Sequence, residues 1–106
     1  MIQGDVCFYI FKEPDKRRPV LILTRDDEIS KLNQITVAAI TTTIRNNASE
    51  VLLNEDDGLF EECVVNLDQI QTVEKRKLGK IVTHLSPERM REVRKAIEFA
   101  FNLDKL

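Results

Sequence analysis

The sequence predicts a small antiparallel β-barrel with one amphipathic helix packed against it at the C-terminal end. Two observations carry that expectation. Short apolar, β-branched stretches follow one another with no segment of crossover-helix length between them, which argues against a parallel α/β sheet. Beyond residue 86 the apolar spacing changes to the helical period.

Residues 4–11, GDVCFYIF, are rich in β-branched and aromatic side chains and apolar on both alternating faces, the pattern of a strand enclosed on both sides. The run is too short for a core helix. After the polar residues 12–18, Pro19 opens PVLIL, a second strand whose first position tolerates a missing amide donor; the two strands form a hairpin. A short helix is expected over 26–32. Residues 35–40, inside QITVAAIT, make a third strand, and 50–53 a fourth that ends at the turn signal Asp57-Gly58. Residues 63–73, CVVNLDQIQTV, are long enough for one bent strand or two short ones, and counted as two they bring the strand signals to six. A turn of helix is expected after Val73. Ser86-Pro87-Glu88 then supplies an N-cap, a proline at the first helical position and a carboxylate in the positive first turn. Met90, Val93, Ile97, Ala100 and Phe101 recur at helical spacing, so residues 87–102 are expected to form the packed helix.

At 106 residues the chain reads as a single domain, 1–106, burying roughly two thirds of its unfolded surface around one core. With 42% hydrophobic and 32% charged residues, it falls outside the disordered, collagen-like and low-complexity classes. No apolar run approaches the roughly 20 residues that span a bilayer, and MIQGDVCFYIF lacks a basic leader region, so a soluble, cytoplasmic protein with no membrane partner is expected. Cys7 and Cys63 each lie in an apolar run, where a small thiol packs as a hydrophobe; both are expected reduced and buried.

The formal charge of -2, from 16 basic and 18 acidic residues, does not announce a nucleic-acid binder. The distribution says more. Acid gathers in Glu55, Asp56, Asp57, Glu61 and Glu62, and base in Lys16-Arg17-Arg18, Lys75-Arg76-Lys77 with Lys80, and the last helix. His84 is the only histidine, the cysteines are far apart in sequence, and the acidic pairs lack ligand spacing, so neither a metal nor another cofactor is expected. Placed just before the helix cap, His84 reads as a structural or exposed group rather than a general base. No G-x-S-x-G, Walker loop or G-x-G-x-x-G occurs.

One cationic corner remains. Arg18 directly precedes Pro19, so its backbone is held and its guanidinium fork can be aimed at a phosphate. Thr41, Thr42 and Thr43 follow the third strand with hydroxyl donors. If the two strand ends meet at one rim, arginine and threonine can clasp a phosphodiester; solvated loop cations and a plain strand edge remain the alternative reading.

The order GDV, RRPVLIL, VAAIT, GL, CVVNLDQIQTVEKRKLGK and HLSPERM resembles the MazF/PemK (Kid) toxins of bacterial toxin–antitoxin modules over essentially the whole chain. The resemblance implies an SH3-like barrel with a packed C-terminal helix, a homodimer, and a metal-independent, sequence-specific endoribonuclease neutralised by a cognate antitoxin with a flexible acidic tail. It assigns the essential arginine before the second-strand proline to Arg18 and the essential threonine after the third strand to Thr41. It places Asp68 and Gln69 in the RNA groove and turns Glu50 toward substrate; the charge distribution adds Lys16 and Arg17, which with Arg18 form a corner expected to bind anionic polymers. The chain departs from the family in two places. Its first loop, KEPDKR, is shorter than the usual glycine-containing loop, and Asn66 stands where the Kid branch has an arginine.

The implied chemistry needs little apparatus, because RNA carries its own nucleophile. The 2′-hydroxyl must be aligned with phosphorus and the added charge on the pentacoordinate centre stabilised. Arg18 is expected to do the latter and to protonate the leaving 5′-oxygen, with Thr41 on a non-bridging oxygen. Arginine, with a pKa above roughly 12, is a poor base, so proton removal falls to Asp68 or water. A 2′,3′-cyclic phosphate and a 5′-hydroxyl are the expected products, and single-stranded RNA the substrate. Two rival functions share the architecture. A CcdB-like gyrase poison is expected to carry a tryptophan near the C-terminus, but the chain has no Trp. A non-catalytic SH3-like module needs clustered Tyr and Trp, and only Tyr9 is present.

Overall fold

The computed structural model describes residues 1–10 and 17–106. The elements are β1 (Asp5–Ile10), β2 (Arg17–Ile22), α1 (Asp26–Ile29), β3 (Gln34–Thr41), β4 (Glu50–Leu53), β5 (Cys63–Glu74), β6 (Leu78–His84) and α2 (Pro87–Ala100). Short 3-10 turns follow β4 at Glu55–Asp57 and β5 at Lys75–Lys77. The strands form one six-stranded sheet in the order β4-β5-β3-β2-β1-β6, antiparallel at every pairing. This is the expected antiparallel architecture with a C-terminal helix.

Neighbouring residues on the central strands divide between two buried clusters. Val6, Leu21 and Ala38 belong to one, and Cys7, Ile22 and Val37 to the other. Side chains that alternate along a strand point to opposite faces, so both faces of the curled sheet are apolar. Helix α2 lays Val93 and Ala96 on the first face, and Ile29 of α1 covers part of the second. The both-sided apolar pattern of residues 4–11 has its cause here, as far as Ile10; Phe11 lies outside the described residues.

Three details differ from the sequence reading. The six strands are reached differently, because Cys63–Glu74 is one bent strand and Leu78–His84, alternating too weakly to stand out, is the sixth. Strand β2 begins two residues before Pro19, which sits opposite Phe8. Helix α2 ends at Ala100, where Asn102 turns left-handed with φ 58°, and Phe101 is exposed rather than part of the packed stripe.

The start of α2 is as expected, with Ser86 Oγ accepting the Arg89 amide at 3.2 Å. Arg89 also ties the helix to the turn after β4, with its Nε 2.9 Å from Asp57 Oδ1. Burial raises the Asp57 pKa, but the Arg89 hydrogen bond and the Asn54 amide outweigh it and hold the carboxyl below its ordinary value. Gly58 follows at φ +92°, and a Cβ there would strike the Thr83 side chain, so only glycine fits that turn.

Strand β5 carries the feature that positions the site. Ala38 of β3 faces Ile70, yet the next residue, Ala39, faces Asn66. Leu67, Asp68 and Gln69 are therefore extra residues on β5, and the strand bulges there.

Candidate active site

Strands β2 and β3 pair Val20 with Ala39, Leu21 with Ala38 and Ile22 with Val37. Continued in the same register, Pro19 falls opposite Ile40 and Arg18 opposite Thr41. The ladder stops at Val20 because Pro19 has no N–H to extend it. The sheet thus opens where the two candidate catalytic residues stand face to face.

A cleft of about 520 Å³ occupies this opening, lined by Arg18, Thr41 and Thr43 on one side and by Asn66, Gln69 and Gln71 of the bulged β5 on the other. Arg45, from the β3–β4 loop, completes the wall. Among the described lining residues there are two arginines and no carboxylate. Their charges make this wall cationic, which suits an anionic ligand on an acidic protein.

The hydrogen bonds determine what each wall residue can offer. Thr41 Oγ1 accepts the Thr43 amide at 3.2 Å, so its single hydroxyl proton is left to donate. Asn66 is buried and its Oδ1 accepts the Asp68 amide at 2.9 Å, which leaves the NH₂ as its remaining donor. Both groups are donors toward the cleft, as phosphate oxygens require.

Of the residues expected from sequence, the structure brings Arg18, Thr41 and Gln69 together on one cleft. Glu50 and Asp68 do not line it. Glu50 turns its carboxylate to the backbone of its own loop, accepting the amides of Arg45 at 3.1 and 3.4 Å and of Asn47 at 3.4 Å. Asp68 Oδ2 lies 2.5 Å from the hydroxyl of buried Ser49, whose carbonyl accepts the Leu67 amide at 2.8 Å. The two acids shape the arginine-bearing loop and stitch it to the β5 bulge. Lys16 lies outside the described residues.

Arg17 does not line the cleft. Its guanidinium carbon is 4.4 Å from the centroid of the Phe8 ring, a cation–π contact across the β1–β2 hairpin. Phe8 in turn stacks on Phe60, with centroids 6.2 Å apart and planes 12° from parallel.

Sequence reasoning missed Arg45 and Gln71 and treated Asn66 only as a departure. An arginine in a polar loop carries no local signal, and the Asn-Asn run after it marks only a turn. His84 is elsewhere, with its Nδ1 2.9 Å from Asp5 Oδ1, consistent with a structural pair. Cys7 and Cys63 are free and buried. Burial, with Glu61, Asp57 and Glu62 nearby, pushes the Cys63 thiol up to about 11; burial and Asp5 raise Cys7. Among the described residues no cluster of His, Cys, Asp or Glu is arranged to hold a metal ion. No helix there is long and apolar enough to cross a membrane.

The fold and the site define a small antiparallel β protein whose sheet opens into a cationic cleft of hydrogen-bond donors. Residues 3–101 match the family described as PemK-like, MazF-like toxin of type II toxin-antitoxin system, and the chain belongs to that family. It is 42% identical over 90 residues to Endoribonuclease MazF3 of Mycobacterium tuberculosis (strain ATCC 25618 / H37Rv), covering 85% of this chain and 87% of that one. Probable endoribonuclease MazF2 of the same strain is 38% identical over 93 residues, covering 87% and 89%. Among solved structures, the Mycobacterium tuberculosis toxin MazF-mt6 superposes with a TM-score of 0.85 at 37% identity, over 92% of this chain and 96% of that one. A mycobacterial endoribonuclease in complex with its cognate antitoxin gives 0.86 at 23% identity, over 97% and 96%, a likeness of fold.

Proposed function

We propose the following chemistry for this endoribonuclease of the MazF-like family. Single-stranded RNA enters the cleft with its scissile phosphate between Arg18 and Thr41. The Thr41 hydroxyl donates to one non-bridging oxygen, and the Arg18 guanidinium neutralises the charge that grows as the 2′-oxygen attacks phosphorus. The P–O5′ bond breaks, Arg18 supplies the proton to the leaving oxygen, and a 2′,3′-cyclic phosphate and a 5′-hydroxyl result. Proton removal from the 2′-hydroxyl falls to water rather than Asp68, whose carboxylate is engaged by Ser49 outside the cleft. Arg45 holds a neighbouring phosphate, and Asn66, Gln69 and Gln71 face the base edges. No metal takes part.

The observation that carries this reading is the juxtaposition of Arg18, Thr41 and Arg45 on one cleft free of described carboxylates. The protein acts in the cytoplasm as a homodimer. It is neutralised by an antitoxin whose flexible acidic tail competes with RNA for the cationic side, losing its chain entropy only on docking. The test is to incubate purified protein with a mixed single-stranded RNA pool and excess chelator, and to map new 5′ ends. Discrete cuts with 5′-hydroxyl ends, absent with Arg18→Ala, are expected. No cleavage by the parent, or cleavage only when divalent metal is restored, would overturn the chemistry.

A further inference from the structure

Phe60 is 71% exposed, the most exposed aromatic ring among the described residues. A phenyl ring in water is unfavourable, so its exposure leaves room for an occupant. It is also held in place. The ring stacks on half-buried Phe8, whose own ring carries the Arg17 guanidinium. Three side chains from β1, β2 and the β4–β5 segment thus form one ordered platform at the side of the cleft.

Between this platform and the cleft lies a smaller recess of about 180 Å³, walled by Phe8, Leu59 and Phe60. The recess and the cleft share Arg18, Pro19, Ile40 and Thr41, so they are two rooms with one wall. A group attached to a phosphate at Arg18 and Thr41 therefore has the recess, with Phe60 in its wall, beside it. In RNA that group is a sugar bearing a base.

The geometry points to Phe60 as a base-stacking residue for the nucleotide adjoining the scissile phosphate, with Arg17 lending charge to the same stack. This rests on the reading of the larger cleft as the RNA-cleavage site and adds a residue that selects and seats the substrate. Stacking on an aromatic face is open to every base, while the recess walls limit size and the Glu61 carboxylate at its rim favours bases that present amino groups. Unlike the donors of the cleft, Phe60 touches no reacting atom. It acts on binding and alignment.

The test is a cycle between protein and RNA. Parent, Phe60→Ala and Phe60→Trp proteins are assayed on a cleaved oligonucleotide and on copies lacking one base in turn near the cut. In the parent, one abasic position raises KM about tenfold, the size typical of a lost base–aromatic stack. Phe60→Ala shows the same rise on the intact RNA and no further rise on that abasic copy, with kcat changed far less. Phe60→Trp restores binding. Because the side chain is exposed, melting temperature stays near the parent's, which separates lost stacking from lost fold. If Phe60→Ala cleaves every copy as the parent does, or if the abasic penalties add to the mutation, the platform does not hold a base. Loss of dimerisation or of antitoxin affinity in Phe60→Ala, with RNA kinetics unchanged, would overturn the inference and assign the ring to a protein contact. A parent that cuts no RNA removes the underlying reading and this one with it.

Discussion

Glu50 accepts the backbone amide of Arg45, with Oε1 at 3.1 Å and Oε2 at 3.4 Å. One carboxylate thus holds the loop at the point where it delivers a guanidinium to the cleft, and acid supports base without facing it. Glu50→Gln keeps the volume but exchanges one acceptor for an NH₂ that opposes the amide donors. A charge-assisted bond of this kind contributes roughly 1.5–3 kcal/mol, so the loop loosens and KM for RNA rises on the order of tenfold, with kcat within about a factor of three. Steady-state kinetics checks this. A loss confined to kcat would instead put Glu50 on the reacting atoms.

Arg18→Ala is expected to lower kcat by about 10²–10³, the usual effect of removing one donor to a developing oxyanion. The residue is exposed at the strand end, so thermal unfolding should be unchanged. Arg18→Lys should recover little, because a point charge cannot replace a planar fork that both stabilises the phosphorane and meets the leaving oxygen. Cleavage by Arg18→Ala within threefold of the parent would remove Arg18 from the mechanism.

The Cys63 thiol, pushed up to about 11 by burial and three nearby acids, stays protonated across the physiological range. Labelling by a bulky thiol reagent at pH 8 should therefore be slow at Cys63 and Cys7 in the folded protein and rapid in denaturant. Cys→Ala at either site should cost about 1 kcal/mol of stability and leave cleavage in place. Fast labelling of both thiols in the native state would contradict their burial.

Because the folded Asp57 carboxyl titrates below its ordinary value, its contribution to stability is present above about pH 4 and is lost as the pH falls through the folded value. Asp57→Asn should destabilise by roughly 1–3 kcal/mol at neutral pH, since it leaves Arg89 short of a charged partner. The same substitution should flatten the acid limb of the stability curve below pH 4. Chemical denaturation of both proteins between pH 3 and pH 7 is the measurement. Parallel curves would show that Asp57 is not the titrating group.

Much of the fold was legible because the signals were local. GDVCFYI announced a strand buried on both faces, and Ser86-Pro87 announced the helix start. Residues 78–84 escaped because LGKIVTH borders the sheet and is mostly exposed, so its alternation is diluted by Lys80 and Gly79. The site divides in the same way. Arg18 and Thr41 could be paired in advance because each adjoins a strand whose end is visible in the sequence. The family resemblance alone placed Asp68 in the groove and turned Glu50 toward substrate, since nothing local in the sequence shows which way either carboxylate turns. Their bonds to Ser49 and the Arg45 amide arise from loops closing in space. Arg45 owes its place to that closure as well.

In the bulge Leu67 is fixed in the core, but Asp68 and Gln69 are exposed and leave a short stretch of the sheet freer to vary. Elsewhere a one-residue slip would turn every following side chain to the opposite face and expose the core. At the bulge the ladder is already interrupted, and the pairs Ala39–Asn66 and Ala38–Ile70 hold the register on either side. Substitution at Gln69 would reshape the cleft wall while both flanking ladders stay in step. A lineage of such proteins can therefore vary the cleft wall at Gln69 while inheriting the same core, because Leu67 anchors the bulge to that core and the exposed residues beside it do not.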